Sequence, residues 1–234
     1  MASKPRQNHS KPTSSNLWDR PPVLPTGDAS QDDIYRAVGH ALSRWEYLET
    51  ELAALFALLC DTTSIAPQLA YGSAMAFGAR RDMLVAASQA YFASMPFDRV
   101  LFDRIIEEIG KLSGLRNDIA HGTVMVFSGA YGSGFYLGPP PYNFSKNKHL
   151  TGAGHKYQYT SAQIVDIKNV FNIYHAQVKM LRDTLEAERQ SWRETRPEPL
   201  SELEDQECPQ DATLQSPELQ PQASDPSPQS GGQS

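Results

Sequence analysis

The chain has 234 residues, of which 40% are apolar, and a formal net charge of −6 at neutral pH. This length and composition support one sizeable hydrophobic core and leave no room for a second domain of ordinary size. No run of about 18 apolar residues occurs, so we expect no membrane-spanning segment. The polar N-terminus lacks the apolar centre of a secretion signal, which indicates a cytoplasmic protein.

The cysteines and the charge distribution exclude further classes of protein. Cys60 and Cys208 provide neither a disulfide framework nor a zinc site, and we predict no metal and no cofactor. Residues 1–196 include 21 basic and 19 acidic residues, whereas residues 197–234 include eight acidic residues and no Lys or Arg. A body so close to neutral differs from the strongly basic surface of a general nucleic-acid binder, so an RNA partner would be held locally.

Composition divides the chain into three parts. Residues 1–29 are polar, slightly basic and without periodicity, which predicts a disordered leader, although Trp18 could dock on the body. Residues 30–196 are predicted to form one helical domain with an insertion at 122–160. Residues 197–234 are acidic and rich in Pro, Ser and Gln, which predicts a disordered tail.

Helix one is predicted to begin near Ser30 and to end at residues 61–63. Asp32 and Asp33 lie in its first turn, where the helix dipole favours acidic side chains. Its apolar residues recur at alternating steps of four and three, which is typical of antiparallel helix packing. This apolar seam comprises Ile34, Val38, Ala41, Trp45, Leu48, Leu52, Leu55 and Leu59.

Helix two is predicted from Pro67 to Ala93, with an alanine-rich interior that permits close approach of other helices. The charged triplet Arg80-Arg81-Asp82 interrupts it. This triplet is either a patch that faces a phosphate or a solvated surface with local pairing.

Helix three is predicted from Leu101 to His121, because seven apolar residues recur at three- and four-residue steps and Gly122 follows. Arg116 falls inside the apolar stripe, where an unpaired charge is costly, so we expect it to have a partner or a ligand. A second line of residues runs beside this stripe and comprises Gly110, Gly114, Asn117 and His121. The two glycines predict room for a close neighbour.

The insertion between helices three and four is predicted to form a hairpin-like arm that overhangs helix three. Residues 123–127 and 156–160 have the composition or alternation of strands. The arm also interleaves aromatic and basic residues, which suits contact with single-stranded RNA. The substrate-binding candidates are Tyr142, Lys146, Lys148 and Lys156. The alternative is a surface loop whose aromatic residues cover the end of the helices.

Helix four is predicted to begin near Ser161 and carries a second apolar seam, which makes it the natural mate of helix one. The members of this seam are Ile164, Ile167, Phe171, Tyr174, Val178, Leu181, Leu185 and Trp192. We therefore expect an all-α protein: an antiparallel four-helix bundle with a β-hairpin-like insertion between helices three and four.

The stretch from Arg116 to His121 resembles the signature of HEPN domains, which has an Arg, a polar residue, three variable residues and a His. Its position at the C-terminal end of an amphipathic helix, between long helices, is also similar to that family. HEPN domains are all-helical and include many metal-independent endoribonucleases, which typically form twofold dimers with two motifs in one cleft. The resemblance therefore implies catalytic roles for Arg116, Asn117 and His121.

These residue types fit RNA cleavage by attack of the 2′-hydroxyl. His121 can act as base or acid near neutral pH, since the reference pKa of histidine is about 6.5. Arg116 can grip two phosphate oxygens and stabilise the charge that develops there, and Asn117 can orient the imidazole or the phosphate. One histidine does not easily perform both proton transfers, so we hypothesise a homodimer through helix three, where Gly110 and Gly114 permit close approach.

Two further interpretations stay open. A histidine before a glycine stabilises a helix end through the dipole, and Arg116 could bridge to a carboxylate on helix one. The protein would then be a non-catalytic HEPN-like module for dimerisation or protein interaction. A toxin-like nuclease that a neighbouring antitoxin neutralises is compatible with either interpretation.

Overall fold

The computed structural model describes residues 16–94, 98–128, 133–142 and 156–195. These residues form five helices and one antiparallel pair of strands. In chain order the elements are α1 (Gln31–Leu59), α2 (Ala66–Ser73), α3 (Phe77–Ser94), α4 (Val100–Ala120), β1 (Thr123–Phe127), β2 (Gly134–Gly138) and α5 (Ser161–Thr195). None of these helices is both long enough and apolar enough to cross a membrane.

Helix α1 corresponds to predicted helix one and contacts the other four described helices and both strands. Ser30 caps its N-terminus, because the side-chain oxygen accepts a hydrogen bond from the Asp32 backbone amide at 3.1 Å. The predicted seam is confirmed, since seven of its eight members are buried and Val38 is half-buried. The Trp45 ring packs edge-to-face against Phe171 of α5, with 5.2 Å between ring centroids.

The structure also confirms predicted helices three and four as α4 and α5, within a residue or two at most of the expected starts. Helix α5 packs along α1, and every member of its predicted seam is buried except the half-buried Trp192. The hydrophobic core therefore lies where α1 packs against α5 and the other helices.

Predicted helix two is wrong as a single element, because the chain breaks between α2 and α3. Ala74 has an extended backbone, with ψ of 120°. The break allows the buried Tyr71 to donate its hydroxyl proton to Glu49 of α1 at 3.2 Å, while Arg80 Nε donates to the Ala74 carbonyl at 2.9 Å. These tertiary contacts override the helix propensity of the alanine-rich sequence.

The predicted hairpin is correct in its first strand and wrong in its second. Strand β1 pairs with β2, in the register Thr123 with Gly138 and Phe127 with Gly134. Residues 156–160 do not form that strand, although Tyr159 makes one antiparallel bridge to Leu137. The alternation predicts a half-exposed strand that buries every second residue, whereas residues 157–160 are all buried.

Residues 16–29 differ from the predicted disordered leader, because they lie against the helical body. Asp28 and Phe135 exchange two backbone hydrogen bonds of 2.9 Å, and Asp28 also accepts from the backbone amide of Ser161 at the start of α5. A Cβ at Gly27 would lie 2.5 Å from the Phe135 carbonyl oxygen, so the close approach requires glycine. Residues 1–15 and the predicted tail at 197–234 lie outside the described residues.

Candidate functional site

A cleft of about 450 Å³ opens between α1, the start of α3 and the C-terminal half of α4. All three residues of the predicted catalytic set, Arg116, Asn117 and His121, line it. Its volume lies within the usual range for small-molecule sites. The structure therefore brings the motif residues together at one accessible surface, together with charged residues from two other helices.

His121 is the C-terminal cap of α4, and its backbone amide donates to the Asn117 carbonyl at 3.1 Å. The residue is exposed. Gly122 follows at a point where an added Cβ would lie 2.6 Å from Leu137 Cγ, so strand β2 packs directly against the helix end. This packing ends the helix at His121 and leaves the residue at the cleft.

Arg116 is only loosely held by its own chain. Its side chain is 31% exposed, Nη1 donates to Asn117 Oδ1 at 3.3 Å, and Nη2 lies 3.8 Å from Glu46 Oε1. Its buried Nε has no hydrogen-bond partner among the described residues. Glu46 is thus the helix-one carboxylate that a purely structural role of Arg116 predicts. The contact is long, however, and Glu46 is 65% exposed. Such a pair contributes little and can yield to a phosphate.

Arg80 also lines the cleft, although the sequence alone leaves two interpretations of it open. Its Nη1 lies 3.2 Å from Oε2 of the buried Glu49, and its guanidinium lies over the Tyr71 ring at 5.7 Å. Arg81 instead pairs with Asp82 at 3.0 Å on an exposed surface. Arg81 and Asp82 therefore form the predicted solvated pair, whereas Arg80 lines the cleft and its contact with a phosphate stays a prediction.

Glu49 fixes the position of Arg80. The Trp45 indole donates to Glu49 Oε1 at 3.0 Å and the Tyr71 hydroxyl donates to Oε2 at 3.2 Å, which compensates for burying the carboxylate. Burial raises the pKa of Tyr71, and the neighbouring Glu49 raises it further. One sequence signal could have indicated this site, since Glu49 lies one helical turn after the buried Trp45 and needs donors there.

Asp118, inside the motif, is turned into the core instead of the cleft. It is 1% exposed and accepts from Arg20 Nε at 2.6 Å and from the Tyr159 hydroxyl at 3.2 Å. The Tyr157 hydroxyl donates to its backbone carbonyl at 3.1 Å. The hydrogen bond to Asp118 raises the pKa of Arg20. These contacts anchor the end of α4 that carries His121.

The two predicted substrate-binding residues that the structure describes do not line the cleft. Tyr142 is 82% exposed and Lys156 is exposed, and neither is among the described residues that line the cleft. Lys146 and Lys148 lie outside the described residues. The described part of the hairpin contributes no lining residue, so the predicted overhang stays a prediction.

The two glycines of α4 have different surroundings. A Cβ added at Gly114 meets no atom within 4 Å, whereas one at Gly110 would lie 3.5 Å from the Arg81 side chain. The surface at Gly114 is therefore open to a neighbouring chain, whereas the surface at Gly110 is next to Arg81. Within the described part of the chain, no three His, Cys, Asp or Glu residues are grouped so that they could hold a metal ion.

Comparisons of the chain with protein-family models, with curated proteins and with solved structures gave no match.

Proposed function

We propose that the protein is a metal-independent endoribonuclease of the HEPN type, which cleaves single-stranded RNA in this cleft. One observation carries the proposal: Arg116, Asn117 and His121 line the same open cleft. We further infer that α1, α3, α4 and α5 form the antiparallel four-helix bundle of such a domain, because α1 and α4 each contact the other three.

The reaction begins when the 2′-oxygen of a ribose attacks the adjacent phosphorus. A base accepts the 2′-hydroxyl proton, the bond from phosphorus to the 5′-oxygen breaks, and an acid donates a proton to that oxygen. The products are a 2′,3′-cyclic phosphate and a 5′-hydroxyl. Arg116 stabilises the charge on the phosphate oxygens, and its loosely held groups allow it to leave Glu46.

His121 acts as base or acid, and the second proton transfer requires another group. We propose that a second copy of the chain supplies it through a twofold contact along α4, where the surface at Gly114 is open. Asn117, exposed one turn before His121, orients the imidazole or the phosphate. A cytoplasmic toxin that an antitoxin neutralises is the proposed biological setting.

The test is cleavage of an end-labelled single-stranded RNA in EDTA. We expect the wild type to leave 2′,3′-cyclic phosphate ends, and His121→Ala and Arg116→Ala to lose about 100-fold or more in rate. His40→Ala is the matched control, because His40 is an exposed histidine of α1 outside the cleft lining. Thermal unfolding of each variant establishes that it remains folded.

Two outcomes contradict the proposal. Equal activity of wild type and His121→Ala would assign the cleavage to a contaminant or to another site. If the wild type leaves RNA intact and the cleft variants instead lose dimer formation in sedimentation velocity, the protein is a non-catalytic dimerisation or interaction module.

A further inference from the structure

The cleft contains a second guanidinium that the proposed reaction does not use. Arg80 reaches it from α3, whereas Arg116 reaches it from α4. The Arg80 side chain is 22% exposed. The cleft lining thus carries two guanidinium groups from different helices beside the carboxylates of Glu46 and Glu49. The donors that these carboxylates leave open suit a ligand with more than one negative charge.

The contacts of Arg80 occupy two of the three nitrogens of its guanidinium. Nε donates to the Ala74 carbonyl at 2.9 Å and Nη1 lies 3.2 Å from Glu49. Among the described residues Nη2 has no hydrogen-bond or ion-pair partner, so the guanidinium can bind a phosphate while it still contacts Glu49.

Glu49 holds Arg80 in place without enclosing it. Glu49 is buried and also accepts hydrogen bonds from the Trp45 indole and the Tyr71 hydroxyl, whereas Arg80 lines the open cleft. The buried carboxylate therefore fixes the orientation of Arg80 before any ligand arrives, which reduces the entropy lost on binding.

We propose that Arg80 forms a second phosphate-binding subsite, which holds a phosphate next to the one that is cleaved. The proposal rests on the function proposed above and narrows the substrate to a strand with at least two consecutive phosphates. Arg116 binds the scissile phosphate, Arg80 binds its neighbour, and Glu49 is a positioning residue for Arg80.

The first experiment measures binding without cleavage. A fully 2′-O-methylated single-stranded RNA has no 2′-hydroxyl to attack, so its affinity can be measured by fluorescence anisotropy over a range of salt concentrations. Loss of one phosphate contact lowers the slope of log affinity against log salt by about 0.7 for a single strand. We expect this decrease in Arg80→Gln and not in Arg81→Gln, the adjacent exposed arginine outside the cleft lining.

The second experiment determines which phosphate Arg80 binds. The dinucleotide UpA has only the scissile phosphate, whereas pUpA and UpAp each carry one more. We expect Arg80→Gln to lower kcat/KM by about tenfold more on one of the longer substrates than on UpA. Arg80→Lys keeps the charge beside Glu49 but loses the fork, so it should keep the salt slope and recover only part of kcat/KM.

The outcomes separate this proposal from the proposed nuclease. If the wild type binds the methylated RNA with the expected difference for Arg80→Gln but does not cut RNA, the nuclease fails and the subsite stands. If the wild type cuts RNA and the salt slope is unchanged in both Arg80 variants, the subsite is overturned and the nuclease stands. Equal losses on UpA, pUpA and UpAp also overturn the subsite, and a wild type that binds no RNA overturns both.

Discussion

Glu46 and Glu49 are one helical turn apart on α1, yet they hold their arginines very differently. Glu49 is buried and accepts from two neutral donors besides facing Arg80. Glu46 is mostly exposed and lies 3.8 Å from Arg116. A buried carboxylate with several donors keeps its arginine in place, whereas an exposed one competes with any incoming anion.

Replacement of Glu46 should therefore strengthen RNA binding. In Glu46→Gln the competing charge is gone, and we expect KM for single-stranded RNA to fall by a factor of about two to five, the range for an exposed ion pair. Steady-state kinetics measures the change. Glu107→Gln is the control, since Glu107 is an exposed carboxylate of α4 that pairs with Lys111 instead. A higher KM in Glu46→Gln would show that Glu46 supports the site.

At this scale the sequence predicts the motif but not the residues that support it. Arg116, Asn117 and His121 lie within six positions and can be recognised as a local pattern. Arg80 and Asp118 depend on partners that are distant in sequence, since Glu49 and Arg20 precede them by 31 and 98 positions. Hydrophobic periodicity carries no information about such polar pairs, because they form only when the helices pack.

At the scale of elements, two glycines near the end of α4 have opposite roles. Gly122 permits close packing of Leu137, because a Cβ there would lie 2.6 Å from Leu137 Cγ and 2.9 Å from the Asp118 carbonyl oxygen. Gly114 lies inside the helix and faces open space. The sequence predicts a helix end at Gly122 and room for a neighbour at Gly114, but only the packing shows that Gly122 adjoins Leu137.

The two corresponding alanine variants should change stability in opposite directions. We expect Gly122→Ala to lower the free energy of unfolding by about 1–3 kcal/mol through overpacking against the strand. We expect Gly114→Ala to raise it by about 1 kcal/mol, because alanine favours the helix and nothing obstructs its methyl group. Urea denaturation at a concentration where the protein is monomeric measures both. A destabilised Gly114→Ala monomer would contradict the open surface.

The elements that the sequence predicts well are the long amphipathic ones. Helices α1 and α5 have uninterrupted seams, and the pattern of α4 is equally regular. The alanine-rich segment has no such seam, so its break at Ala74 leaves no periodic signal. The sequence does not predict strand β2, because glycines flank Phe135, Tyr136 and Leu137 and such a pattern is typical of a loop. The left-handed Gly134, with φ of 111°, instead begins the strand.

At the scale of the whole molecule, several buried tyrosines have raised pKa values. Tyr71, Tyr157 and Tyr159 are almost fully buried, and burial raises the pKa of each well above its usual value. Neighbouring carboxylates, Glu49 or Asp118, raise these pKa values further. The Tyr174 hydroxyl donates to Glu108 at 3.0 Å, and burial together with this carboxylate raises the pKa of Tyr174 to about 12.

The raised tyrosine pKa values predict a loss of stability at alkaline pH. Below about pH 10 the tyrosines are protonated in both the folded and the unfolded protein, so their full contribution is present. Above that pH the unfolded chain loses protons first, and the free energy of unfolding falls by up to about 1.4 kcal/mol per pH unit for each such tyrosine. For Tyr174 this loss falls between about pH 10 and the folded-state pKa of about 12.

Urea denaturation at about pH 9 and about pH 11 tests this prediction. We expect the wild type to lose stability between the two pH values, and Tyr174→Phe to lose less because one titrating group is gone. Tyr35→Phe, which alters a half-exposed tyrosine of α1, should lose as much as the wild type. Identical losses in all three proteins would exclude Tyr174 as a source of the alkaline effect.

The ion pair between Arg20 and Asp118 connects the segment before α1 to the C-terminal end of α4. Asp118 lies three residues before His121, so truncation past Arg20 would withdraw a cation from the helix end without altering any residue that lines the cleft. A shorter protein that lacks Arg20 would therefore have an altered environment at the His121 imidazole. A shorter protein that still begins before residue 16 would keep the ion pair between Arg20 and Asp118.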